Sequence, residues 1–158
     1  MDWRPEQTRG PPVKNHLLFD HDGYLPCYAH ITNGKTSDVR VVRGLTLPKG
    51  RLVVMDRGYM DYRMFERWTH ENLGFVTQLR DNADLCRKAA IPGKRDGRDP
   101  GGDVVEFSGI QAGRTMKARF RMVIVWLQEK GEQMRLLTSR FDLTASRLGK
   151  WDQRGQVF

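Results

Sequence analysis

Cysteine is scarce in this chain, and long apolar runs are missing altogether. Cys27 and Cys86 are the two cysteines among 158 residues, and they stand far apart with no Cys-x-x-Cys or Cys/His spacing. That argues against a disulfide framework and a thiolate metal site, and both read as reduced thiols of a cytoplasmic protein. No apolar stretch approaches the roughly 18–20 residues that cross a bilayer, so no membrane association is expected. The opening "MDWRPEQTRGPPVK" is charged and proline-containing, unlike a secretory signal. Acids are also in short supply: 19 against 27 lysines and arginines, a net charge of +8. Such a surface attracts polyanions, nucleic acid foremost. The basic residues are dispersed, with "GKRDGR" (93–98) the densest cluster. On charge alone, a basic soluble surface with no nucleic-acid role stays open.

What is present reads as an α/β chain. "VKNHLLFD" and "LPCYAHIT" are strand-like on either side of Asp22-Gly23, a pair that tolerates positive φ and favours a hairpin. "TSDVRVVRGL" fits a short helix with Ser37 or Asp38 as N-cap and Gly44 near its end. "KGRLVVMD" is a buried strand, short, apolar and β-branched at its centre. "DYRMFERWTHENLG" places Tyr62, Phe65, Trp68 and Leu73 near a helical period, with Gly74 as the expected closing glycine. "GFVTQLR" is another strand. After Arg80 comes the polar loop "IPGKRDGRDPGGD", then three strand-like runs, "DVVEFSGI", "MKARFRMVIVWLQ" and "QMRLLTSR". A turn is expected at "EKGEQ". "DLTASRLGKW" fits the start of a helix capped by Asp142.

Three stretches invite chemistry. "AHITNGKT" nearly fits a phosphate-binding loop, but its first position is Ala29 and Ala29–Thr32 look like strand. A strand followed by an Asn-Gly turn is the better reading. "FDHDGY" could suggest a metal site, yet Asp20 and Asp22 at a solvated hairpin tip account for it. His16 and His30 could face each other across that hairpin. "LVVMDRGY" is different. Asp56 ends a buried strand, where α/β folds tend to place ligand sites. A carboxylate there needs a partner. Arg57 in a structural role and a divalent cation are equally open on pattern alone.

"NHLLFDHDGYLPCYAHITNGKTSDV", "RLVVMDRGYMDYRMFERWTHENLGFVTQLRDNADL" and "LLTSRFDLTAS" resemble the DDE transposases of bacterial insertion sequences. The likeness is closest to the group with a β-rich insertion between the second and third acids. The match covers about Lys14 to Ser146, and "VMDRGYMDY…FERW…FVTQLRDNA" is its specific part. The resemblance implies an incomplete RNase H-like core with a β-rich insertion. Residues 1–13 would be a basic linker, 14–81 partial core, 82–133 the insertion, and 134–158 a truncated return to the core. It implies DNA as substrate, cut and joined by phosphoryl transfer with Mg²⁺ held by three acids. Asp56 matches the second acid and becomes the expected catalytic and metal-binding residue, with Gly58 letting the chain turn away. No residue matches the first or third acid. The expectation is therefore a transposase fragment inactive by itself, able to self-associate or pair with an intact transposase. The alternative is a non-catalytic DNA-binding or regulatory fragment.

Overall fold

A computed structural model describes residues 12–20, 23, 25–93, 101–108, 118–127 and 131–148. Asp22, most of the "GKRDGR" cluster and the end of the chain after Leu148 lie outside the described residues.

Strands β1 (Val13–Asp20) and β2 (Leu25–Asn33) form an antiparallel two-stranded sheet with His16 opposite His30. Helix α1 (Asp38–Arg43) follows, with Ser37 at its N-cap and Gly44 at its C-cap, as its sequence predicts. Strand β3 (Leu52–Met55), a 3-10 turn (Arg57–Tyr59), helix α2 (Tyr62–His70) and strand β4 (Gly74–Gln78) make the next unit. β3 and β4 are parallel neighbours joined by α2, the β-α-β pattern that an apolar strand, an amphipathic helix and a second apolar strand specify.

α2 starts where Asp61 accepts the Met64 N–H at 2.8 Å, satisfying one of the helix's free first-turn donors. Its apolar face buries Met64, Phe65 and Trp68. Phe65 stacks on Phe75 of β4 with ring centroids 4.1 Å apart. Truncating a buried phenylalanine of this kind costs about 3–5 kcal/mol. The helix does not run to Gly74. It stops at His70, and Asn72 takes the left-handed turn with φ 59°. Gly74 instead opens β4, where a Cβ would come within 2.8 Å of Leu52 Cδ1. Its role is close strand approach rather than helix closure.

The remaining strands are β5 (Leu85–Ile91), β6 (Gly102–Phe107), β7 (Phe120–Leu127) and β8 (Glu132–Thr138). They continue the sheet that β3 and β4 begin, in the order β3-β4-β8-β7-β6-β5. Only the β3/β4 pair is parallel among these six strands. At the expected turn between β7 and β8, Gly131 has φ 64° and donates its N–H to the Leu127 carbonyl at 2.9 Å, while residues 128–130 lie outside the described residues. The architecture is mixed α/β with few helices, consistent with an RNase H-like arrangement.

One sheet face carries α1 and α2, with Val42, Phe65, Trp68, Phe75, Val105 and Phe120 in a common core. The other face is covered by residues 141–148. There Leu143, Ala145 and Leu148 pack on Val76, Val123 and Leu136. The helical turn at 145–148 starts at Thr144 rather than Asp142: the Thr144 carbonyl accepts the N–H groups of Arg147 and Leu148. Among the described residues no helix is long and apolar enough to cross a membrane.

Candidate active site

β3 buries Val53 and Met55 on alternate positions, and Asp56 follows at its C-terminal end. Asp56 has an extended backbone and caps the 3-10 turn: its Oδ1 accepts the Gly58 N–H at 2.7 Å. The Asp56 carbonyl accepts the Tyr59 N–H at 3.1 Å. The first bond orients the carboxylate at the end of β3, and the second closes the turn. A Cβ on Gly58 would lie 3.0 Å from that same Oδ1. The backbone of Gly58 is not in the left-handed region. Glycine is thus set by the nearness of the carboxylate, not by an unusual φ.

Tyr59 connects this turn to the hairpin. Its hydroxyl lies 3.4 Å from His16 Nδ1, and His16 Nε2 lies 3.0 Å from Thr32 Oγ1. His16 is buried at 3% exposure, so its ring nitrogens need these hydroxyls. Burial, then the negative charges of Asp38 and Asp56, push the Tyr59 hydroxyl above its usual pKa. Tyr59 therefore keeps its proton and stands within the field of both carboxylates. Asp38 in turn pairs with Lys14 Nζ at 3.0 Å, and Lys14 also donates to the Thr36 carbonyl at 3.2 Å. His16 and His30 face each other across the hairpin, as the sequence allowed. The hairpin register, which puts His16 opposite His30 with ring centroids 6.5 Å apart, was the available signal, but nothing local pointed to Tyr59, 43 residues away.

Arginine side chains link the turn after Asp56 to the residues after β4. Arg80 Nε donates to the Arg57 carbonyl at 3.3 Å, and Arg135 Nη2 donates to the carbonyls of Arg80 and Asp81 at 2.9 Å each. Residues distant in sequence thereby bring positive charge to the C-terminal ends of β3 and β4. Such charge suits a polyanion's phosphates.

A divalent cation of the Mg²⁺ type requires hard oxygen ligands. The Asp56 carboxylate is the right donor, fixed at a strand end. Among the described residues no three His, Cys, Asp or Glu side chains stand together as a ligand group. The fit is that of one ligand, not a complete site. Asp20 ends β1, and the His21-Asp22 part of the "FDHDGY" stretch lies outside the described residues. The "NGKT" stretch is turn, as expected: β2 runs through Asn33, and Thr36 Oγ1 donates to Asn33 Oδ1 at 2.8 Å.

Comparison with known proteins gives the family. Residues 3–151 match the family model described as Transposase DDE domain. Over 157 residues the chain is 24% identical to "Probable transposase for insertion sequence element IS5377" of Geobacillus stearothermophilus, covering 98% of this chain and 40% of that protein. Over 83 residues it is 25% identical to "Putative transposase y4zB" of Sinorhizobium fredii, covering 52% of this chain and 23% of that protein. The chain thus spans well under half the length of either relative. No solved structure matches it. With a family match over nearly its whole length, the chain belongs to the Transposase DDE domain family.

Proposed function

We propose that this chain takes part in DNA transposition, with Asp56 contributing one carboxylate to a site that cuts and joins DNA. The observation that carries this reading is the placement of Asp56. It follows β3, the first strand of the β-α-β unit, and its Oδ1 is pre-set by the Gly58 N–H at 2.7 Å. Mg²⁺, when bound, would offset the charge that builds on the phosphoryl oxygens. Asp56 would hold that ion on its carboxylate, while Tyr59 and His16 keep the turn seated on the hairpin. Arg57, Arg80 and Arg135 would draw the DNA backbone toward the strand ends. One carboxylate is too few for catalysis, so the rest of the ligand set must come from polypeptide beyond the described residues. The chain by itself is expected to bind DNA without cutting it. Strands β5 to β7 are the proposed insertion of this family, here fused into the main sheet.

DNA binding tests the substrate class. The +8 charge predicts binding that is indifferent to sequence, with a Kd on the order of 10⁻⁴–10⁻⁶ M at physiological salt, weakening steeply as salt rises. Fluorescence anisotropy of a labelled duplex across a salt series measures both. Tight binding to one sequence that survives high salt, or no binding at low salt, contradicts the reading.

A further inference from the structure

Four rings form a row from the hairpin to the Asp56 turn. Tyr28 and His30 stand two residues apart on β2, so their side chains share one face of the strand. Their planes are nearly parallel, at 16°, with ring centroids 6.2 Å apart. His16 follows across the register, its ring 6.5 Å from that of His30. Tyr59 comes next, edge-on to His16 with centroids 6.4 Å apart. Asp56 caps the 3-10 turn that carries Tyr59.

The two halves of the row differ in burial. His16 is buried and Tyr59 half-buried, and their hydrogen bonds account for both. Tyr28 and His30 are exposed. Exposed rings remove little apolar area from water, so they add little to the hairpin's stability. Because the two planes are nearly parallel, a flat partner that stacks on one ring is aligned with the other. Lys14, on the same face of the hairpin and held at Nζ by Asp38, brings positive charge beside the row. Lys35, exposed in the turn after β2, adds to it. Aromatic faces combined with cations along the backbone's path are the means by which proteins hold a single strand without reading its sequence. A base inside a duplex has both faces covered by its neighbours. An unpaired base offers a free one.

We infer that Tyr28 and His30 are a stacking platform for an unpaired base of a DNA strand. The inference rests on the DNA reading of the Asp56 site, and adds a contact to bases where that reading has contacts to phosphates.

The test compares two labelled ten-nucleotide strands on the full chain. One is all thymidine and the other is abasic throughout, with the same backbone charge. At equal salt the thymidine strand is expected to bind at least about fivefold more tightly, the scale of one stacked base. It should also shift the ring resonances of Tyr28 and His30. Replacing both rings, Tyr28→Ala with His30→Ala, should abolish that preference and leave the salt-sensitive binding of the abasic strand unchanged. Tyr28→Phe keeps the ring and should retain the preference. Hydrogen-exchange protection of α2 checks that the variants stay folded, and the comparison on the unaltered chain needs no variant. Equal binding of the two strands by the unaltered chain would overturn the inference and leave the DNA reading standing. A preference that survives in the folded double variant would overturn it as well, by moving the base contact to another ring. Absence of binding by both strands would overturn the two readings together.

Discussion

A methyl group added at Gly58 would sit 3.0 Å from Asp56 Oδ1, and the more movable of the two is the carboxylate. Gly58→Ala should therefore spare the fold and disturb the site. The expected cost is at most about 1 kcal/mol, a fall in melting temperature of about 2–4 °C, together with weakened divalent-ion binding at Asp56. Unaltered ion binding would show that the carboxylate's position is not what the glycine protects. Asp142 gives a second residue-scale check. Two bonds of 2.7 Å from Arg140 hold its carboxyl at about 2, below the usual 3.8. Because the folded value is depressed, the pair's contribution is present above the ordinary aspartate value and is lost as pH falls toward 2. Both groups are substantially exposed, so the contribution is small, about 0–1 kcal/mol. Arg140→Gln should return Asp142 to an ordinary titration by carboxyl-carbon NMR, and an unchanged titration would contradict the assignment. That Asp56 ends a strand was legible in the sequence, because an apolar run ending in a carboxylate is a local pattern. Tyr59 and His16 were not, because their meeting depends on how the hairpin docks.

Among the elements, β7 shows how a buried charge can serve packing. Arg121 is 1% exposed. Its guanidinium donates to the carbonyls of Gly101 at 2.7 Å, Phe141 at 3.4 Å and Leu143. It joins the start of β6 and the 141–148 segment to the middle of the sheet. Arg121→Leu strands these carbonyls and is expected to lower stability by about 2–4 kcal/mol, measured by urea unfolding. A loss below about 1 kcal/mol would mean that water replaces the bonds. A deletion running from Lys94 to Gly102 would remove the Gly101 acceptor too. The polar loop "IPGKRDGRDPGGD" thus ends in structure that its composition did not reveal. Strand β5 had no legible pattern either. Its residues LCRKAAI are mostly exposed, and Arg87, Lys88 and their acidic partners Asp103 and Glu106 line it. This is the charged edge that sheets use to discourage further pairing, and it carries little hydrophobic period to read. The apolar strands and α2 were legible because burial on one face leaves a period in the sequence.

For the molecule as a whole, element order and the mixed α/β class could be read before the structure, since each depends on local pattern. Sheet order could not. β8 inserts beside β4 from far along the chain, Val76 pairing with Thr138 62 positions away, and only packing decides that. The separation of hairpin and main sheet was equally hidden, although it creates the groove beside β3. The central claim is that Asp56 is the metal-binding carboxylate of a transposase site. Paramagnetic Mn²⁺, standing in for Mg²⁺, tests it most directly in amide NMR spectra of the chain. A single carboxylate binds such an ion weakly, so millimolar Mn²⁺ should be needed. The account predicts broadening centred on Asp56 to Tyr59, abolished by Asp56→Asn in a chain that stays folded. Broadening centred elsewhere, or persisting in Asp56→Asn, would contradict it.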